Sequence, residues 1–364
     1  MAERSALLHR VIGSAAGGFD RAINAVIVRR TRAHASAAAE NLGHRARMHW
    51  LDRVDAIYGR PEHFVADGDV FYPRHGALDV GSAAVGSYRS DGRVVDLRWS
   101  SRSRVFLSDV RATYHSVREN QTVRARVFLH NDRPRPAIVL IHGYMGGAFA
   151  LEERVWPLSW LFELGLDVAL AVLPFHGPRM RRGAAPLFPG PDPRLTVEAF
   201  RQAIVDLRDL LDWFRARGSS EVGAMGMSLG GYTTSLLATV DPELSFAFPM
   251  IPLASIALIA RDQGRLVGTD AERQEQFDAL EKAHAAVSPV IRTPRLAGHR
   301  VRVFAAEYDQ ITPHAHARRI ADHFDAPLEV FSGGHMLQVG RGAVFRSVAR
   351  TLGELGVIER RGSR

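Results

Sequence analysis

The stretch Gly223-Ala224-Met225-Gly226-Met227-Ser228-Leu229-Gly230-Gly231 carries more structural information than any other part of the chain. An apolar run leads into it and a helical pattern leads out, so Gly226-x-Ser228-x-Gly230 falls between a strand and a helix. Such a turn must be sharp enough to lift the serine above the carboxyl edge of a sheet. Glycines at the two flanking positions let strand and helix pass that closely. A helix beginning just after Ser228 also aims backbone N–H groups at the place where negative charge would develop. Among 32 glycines the bare pattern arises easily by chance. Its strand–turn–helix setting marks Ser228 as a nucleophile.

The surrounding sequence supplies the sheet that this turn requires. Ala137–Ile141 is a continuous apolar run, as expected for a strand buried on both faces. Helical patterns over about 150–164, 195–217, 229–239 and 313–324 alternate with strand patterns at Asp167–Leu173, Val222–Met227, Leu244–Ile251, Val301–Ala306 and Leu328–Ser332. A final helix runs to about Leu355. This alternation predicts an α/β domain built on a mostly parallel sheet. Upstream, Val94–Trp99, Val105–Leu107, Ala112–Val117 and Val123–Leu129 are short β-prone runs separated by turn residues, which predicts antiparallel strands. Residues 65–92, rich in Gly, Ser, Ala and Asp, are expected to be loop. Leu8, Val11, Ile12, Ala15, Phe19, Ile23, Val26 and Ile27 recur at helical spacing over about 5–30, and a second, alanine-rich helical stretch reaches about Ile57. The expected division is an N-terminal helical extension and loop (1–93), a catalytic domain (94–356) and a basic tail (357–364).

A serine hydroxyl is a poor nucleophile until a base removes its proton, and the base needs a carboxylate to orient it. Sixteen histidines make position decisive. His335 directly follows the last strand pattern, in Phe331-Ser332-Gly333-Gly334-His335, and Asp309 follows the preceding one, in Glu307-Tyr308-Asp309-Gln310-Ile311-Thr312-Pro313. Ser228, Asp309 and His335 thus each sit just past a different strand end, and in an open α/β sheet those loops face one crevice. Glu307 is the competing carboxylate, ranked second because it lies closer to its strand.

With His142-Gly143-Tyr144-Met145-Gly146-Gly147 after a buried strand, the nucleophile turn, Asp309 and His335 in this order, the chain resembles the α/β-hydrolase superfamily over about 94–356. The resemblance implies a mostly parallel central sheet with helices on both faces. It also implies oxyanion-hole N–H groups from Tyr144 and Leu229, and a structural role for His142. Dehalogenases and epoxide hydrolases of this fold place aspartate at the nucleophile position, so Ser228 argues against both. Gly-Met-Ser-Leu-Gly-Gly-Tyr is similar to the turn of prolyl-oligopeptidase-like enzymes, which keeps a peptidase or amidase open as the alternative to an esterase. A non-catalytic relative that binds a ligand or partner is the third reading. The loop Pro174-Phe175-His176-Gly177-Pro178-Arg179 lies where many members carry a His-Gly pair near the pocket. His176 is expected to be structural on this candidate substrate loop, and Arg179, with Arg181 and Arg182, to form a basic patch at the site's edge, read either as steering an acidic substrate or anionic surface or as an ordinary solvated face. Residues 254–299, with a helical run near Ala271–Ala285, would form a small cap.

Composition removes several alternatives. The chain has no cysteine, which excludes a thiol nucleophile, thiolate metal sites and disulfides. Its net charge is +8, from 47 basic and 39 acidic residues, but the positive charge is spread along the chain without aromatic interleaving. Nucleic acid is therefore not an expected partner. The arginines of the first helix permit contact with a membrane surface, but packing on its own protein or on a twin subunit is the favoured reading, with a homodimer as one form. The first turns (Ala6, Leu7, Leu8, His9, Arg10) are interrupted too early for a signal-peptide core, and a cytoplasmic protein is expected. The overall expectation is a serine hydrolase of small carboxylic esters, acting through an acyl-enzyme with neither metal nor organic cofactor.

Overall fold

The computed structural model describes residues 18, 20, 42–64, 70–190 and 192–359. Nine strands form one sheet: β1 (Gly81–Tyr88), β2 (Gly92–Ser100), β3 (Thr122–His130), β4 (Ala137–Ile141), β5 (Asp167–Ala171), β6 (Val222–Met227), β7 (Ala247–Met250), β8 (Val303–Ala306) and β9 (Leu328–Phe331). Their spatial order is β1-β2-β3-β5-β4-β6-β7-β8-β9. β1, β2 and β3 run antiparallel and join β5 antiparallel; from β5 through β9 every pairing is parallel.

The helices that flank and connect these strands are α1 (His44–Tyr58), α2 (Ser108–His115), α3 (Phe149–Val155), α4 (Leu158–Glu163), α5 (Pro193–Ala216), α6 (Leu229–Leu237), α7 (Ile256–Asp262), α8 (Asp270–Ala283), α9 (His314–Phe324) and α10 (Gly342–Glu354). The apolar run of β4 is buried throughout, and its side chains alternate between two cores. Ala137, Val139 and Ile141 join one core, with α5, α6 and α9; Ile138 and Leu140 join the other, with α4 and α10. Alternation across the pleat is what lets one strand serve both layers. Among the described residues, no helix is long and apolar enough to cross a membrane.

Several sequence expectations change. Residues 81–88, read as loop, form β1; its small side chains are mostly exposed, so no alternation of polarity announces it. Its pairing with β2 shifts register between Ala84 and Gly86. Ala112–Val117, read as a strand, lies largely in helix α2, which buries Val110 and Tyr114, four residues apart on one face. Val105–Leu107 is an irregular approach to that helix, with Val105 and Leu107 inward and Phe106 outward. The predicted helix over 150–164 is broken in two at Trp156-Pro157. The first amphipathic stretch, 5–30, falls outside the described residues apart from Gly18 and Asp20.

Helix α5 is the spine of the first layer. Asp192 caps it by accepting from the Arg194 N–H at 2.9 Å, and Pro193 occupies its first position, where no N–H is needed. Its outer face carries polar residues that are nonetheless buried, because N-terminal segments cover them. Glu198 accepts from the Tyr58 hydroxyl (2.6 Å) and from the Phe106 and Leu107 N–H groups (2.8 and 3.0 Å), and it pairs with Arg201 at 2.7 Å. Helix α1 also packs on α8, where Gln276 bonds His44 at 3.1 Å, and Arg47 donates to the Arg265 carbonyl, ahead of α8, at 2.9 Å. This part of the extension is therefore docked on the sheet domain. Removing Glu198 leaves three donors without their acceptor and the buried Arg201 guanidinium with only the Phe71 and Arg104 carbonyls in place of its counter-ion. Glu198→Ala is expected to cost about 3–5 kcal/mol, read as a lower urea midpoint at an unchanged m-value.

Candidate active site

The site is assembled where consecutive parallel strands end. Six non-glycine residues have positive φ among the described residues, and four of them follow successive strand ends: Met145 after β4 (66°), Phe175 after β5 (58°), Ser228 after β6 (57°) and Ile251 after β7 (42°). Each such conformation costs on the order of 1–3 kcal/mol and persists only where the surroundings impose it. Strain is thus concentrated along one edge, and it is the edge that carries Ser228.

Ser228 is the turn residue between β6 and α6, with φ 57° and ψ −116°, and its N–H donates to the Met250 carbonyl at 2.9 Å. The flanking glycines are required sterically. A β-carbon at Gly226 would run into the Gly230 carbonyl, and one at Gly230 into the Ile141 carbonyl at the end of β4. The first turn of α6, beginning with Leu229, supplies N–H groups without intrahelical acceptors. Across from it lies the His142–Gly147 loop, where a β-carbon on Gly143 would stand 3.5 Å from that of Ser228. Tyr144 follows directly on this loop, so the two expected oxyanion donors belong to segments that meet at the serine.

Two buried side chains hold the loop. His142 donates from Nδ1 to the Gly143 carbonyl (2.7 Å) and accepts at Nε2 from the Leu173 N–H (3.0 Å). Burial pushes its imidazole down to about 4, so it stays neutral in this arrangement. Glu152, which the sequence reading did not single out, accepts from the Gly147 N–H (2.8 Å) and the Trp156 indole (3.1 Å). Burial raises its carboxyl above the usual range, against those two donors.

The structure brings Asp309 and His335 together. His335 Nδ1 donates to Asp309 Oδ2 at 2.8 Å, and both residues are buried. Asp309 is itself fixed: Oδ1 accepts from the Ile311 and Thr312 N–H groups at 2.8 and 2.7 Å, and the Thr312 hydroxyl lies 3.0 Å from Oδ2. Thr312 was legible only as part of the loop after β8. Glu307, the competing carboxylate, instead receives the exposed Ser332 hydroxyl at 3.3 Å. Burial opposes a charged His335, but the Asp309 carboxylate outweighs it by charge and hydrogen bond, with Asp20 adding to the effect. The imidazole is therefore raised above its ordinary 6.5. This pair is suited to accept a proton at Nε2 and to stabilise the resulting imidazolium.

The loop after β5 differs from its sequence reading in one respect. His176 is fully buried, with Nδ1 donating to the Pro174 carbonyl at 2.8 Å, and burial pushes its imidazole down to about 3. That fits a structural histidine. Arg179, expected in a basic patch facing solvent, is also fully buried: it pairs with Asp206 at 2.7 Å and donates to the Val172 and Asn120 carbonyls. A buried guanidinium needs those partners to offset its desolvation, so Arg179 is an internal tie and steers no solvent-borne substrate. An open cleft of about 560 Å³ lies at the amino ends of the parallel strands, lined by Arg89, His130, Arg135 and Phe162. Its arginines are already paired, Arg89 with Glu163 and Arg135 with Asp132.

The acetyl xylan esterase 1 of Thermoanaerobacterium sp. JW/SL YS485 superposes with a TM-score of 0.56 at 14% identity, covering 85% of this chain and 92% of that one. The chain has the α/β-hydrolase fold. An acetyl xylan esterase from Paenibacillus sp. R4 gives 0.53 at 16% identity, over 83% of this chain and 93% of that one. No family model matches the chain. A curated relative, the uncharacterized protein MT2702 of Mycobacterium tuberculosis (strain CDC 1551 / Oshkosh), is 33% identical over 243 residues, or 64% of this chain. The match spans 57% of that relative's length.

By NMR titration of the imidazole, His335 is expected to titrate above 6.5, and Asp309→Asn to move that midpoint downward, because burial then acts with less opposition.

Proposed function

We propose that this protein is a serine hydrolase of small carboxylic esters. The observation that carries the reading is the strained Ser228 turn, flanked by two N–H-bearing segments, on the same sheet edge as the hydrogen-bonded His335–Asp309 pair. In the proposed reaction the Ser228 Oγ attacks the ester carbonyl while His335 Nε2 takes its proton. Asp309 holds the imidazole in the required tautomer and stabilises the imidazolium. The Tyr144 and Leu229 N–H groups receive the oxyanion. As the tetrahedral adduct collapses, the C–O bond to the alcohol breaks and His335 returns the proton to the departing alkoxide. Water then attacks the acyl-serine, His335 again moving the proton, and the carboxylic acid leaves with Ser228 restored.

An ester is favoured over an amide because an alkoxide departs more readily than an amine. The two fold neighbours, both named as acetyl xylan esterases, support short acyl groups as the first to try. The chain's lack of cysteine removes any competing thiol.

Incubation with a fluorophosphonate probe is expected to label the wild-type protein on Ser228. Ser228→Ala should abolish labelling and lower turnover of a nitrophenyl ester by about 10⁴–10⁶-fold; labelling that survives the substitution would sink the assignment. A panel of nitrophenyl esters of increasing acyl length, run beside a matched anilide, is expected to show ester turnover well above amide turnover. The reverse ranking would point to a peptidase or amidase instead.

A further inference from the structure

Asp20 is separated from His335 by 315 positions in sequence, yet its side chain is fully buried against the loop that carries that histidine. One carboxylate oxygen accepts from the His335 N–H at 2.6 Å and from the Gln310 N–H at 3.4 Å; the other accepts from the Met336 N–H at 3.0 Å. Gln310 adjoins Asp309 on the loop after β8, so a single carboxylate ties the acid loop to the base loop. An ionised carboxylate is an acceptor at both oxygens and suits converging N–H donors better than any neutral side chain.

A second observation supports the fit. Gly334 has an ordinary backbone conformation, so torsion does not require glycine there. Space does: a β-carbon at 334 would stand 2.5 Å from the Asp20 carboxylate. In the sequence, Gly333-Gly334 stands out only as the lead-in to His335. Gly333 does need its glycine for torsion, with φ 131°, whereas Gly334 needs it to admit Asp20.

We propose that Asp20 is a positioning residue for the candidate catalytic histidine, and that it makes the N-terminal segment a working part of the active site. The inference rests on the serine-hydrolase reading above. Asp309 orients the His335 ring from Nδ1, and Asp20 fixes the backbone from which that ring projects. Without Asp20 the Gly-Gly loop keeps its Tyr308 N–H to Gly333 carbonyl bond (2.9 Å) and its Gly334 N–H to Leu337 carbonyl bond (2.9 Å). It loses the carboxylate that ties the His335 and Met336 N–H groups to that of Gln310. Among the described residues, the charged groups facing His335 are Asp309 and Asp20, and both favour its protonated form.

Three variants test this: Asp20→Asn, which keeps shape and removes charge; Asp20→Ala; and Gly334→Ala, which crowds the carboxylate out while leaving Asp20 in the sequence. Each is assayed on the same nitrophenyl ester over a pH series, with thermal melting followed alongside. A displacement of about 1 Å in a catalytic group can cost on the order of 10²-fold. Asp20→Ala and Gly334→Ala are therefore expected to lose about 10²-fold in kcat with KM little changed. Asp20→Asn should stay folded, lose part of that rate, and shift the acid limb of kcat/KM to lower pH. An Asp20→Asn protein with wild-type kcat and an unmoved acid limb overturns the proposal. A melting temperature that falls while the acid limb stays in place overturns it too, because that is the signature of a purely structural contact. Wild-type protein that is neither labelled at Ser228 nor active on esters removes the serine-hydrolase reading, and this inference with it; labelled, active wild type with indifferent variants removes this inference alone.

Discussion

The carboxyl edge of the sheet depends on how closely β6, the Ser228 turn and α6 pass beside β4. Neither Gly226 nor Gly230 has room for a β-carbon, and the obstacles are main-chain carbonyls that cannot swing aside. At that close passage Ser228 takes its positive φ, and the Gly143 loop lies alongside it. It also brings the start of α6 beside the segment that follows β4. Hydrophobic burial holds the sheet and its helices together, but it does not specify this turn. A steric constraint on two residues does.

Around that turn, buried polar groups perform a task that apolar packing could not. His142 satisfies the Leu173 N–H after β5, Glu152 satisfies the Gly147 N–H of the opposing loop, and Asp309 is immobilised by two backbone donors before it ever meets His335. On the outer face of α5 the same logic recurs at larger scale. Glu198 and Asp206 anchor segments from the first half of the chain through Tyr58, Ser101, Arg179 and Arg201. Such contacts are costly to desolvate and unforgiving of loss, and they favour one arrangement of the loops over many nearly equivalent ones.

The parallel half of the sheet was legible because its strands are continuous apolar runs bounded by turns, and β4, β6 and α6 lie close to where the pattern puts them. Asp309 and His335 were legible for a related reason: topology sends every loop after a parallel strand to the same edge. The antiparallel part was harder to read. Glycine and alanine in β1 give no alternation, and Val110 and Tyr114 lend helix α2 a β-like composition. Arg179 was misplaced because a sequence does not show that Asp206, 27 positions away, will be buried beside it. Asp20, Glu152 and Thr312 were missed for a similar reason. Each acts through backbone N–H groups or a neighbouring side chain, and such partners leave no motif.

An open nine-stranded sheet has two outer strands, and each leaves a row of backbone groups that could template another chain. The two ends of this sheet prevent runaway ladder growth by different means. β9 carries Glu329, held by Arg302, Arg350 and the Ser347 hydroxyl, so a charged cluster accompanies its outer row. β1 has no charged residue between Gly81 and Tyr88, and its protection is geometric. The register shift at Ala84/Gly86 bends the strand out of the flat, regular spacing that fibril growth requires. A straight, regular β1 would instead present an unbroken row of backbone groups for another strand to pair with.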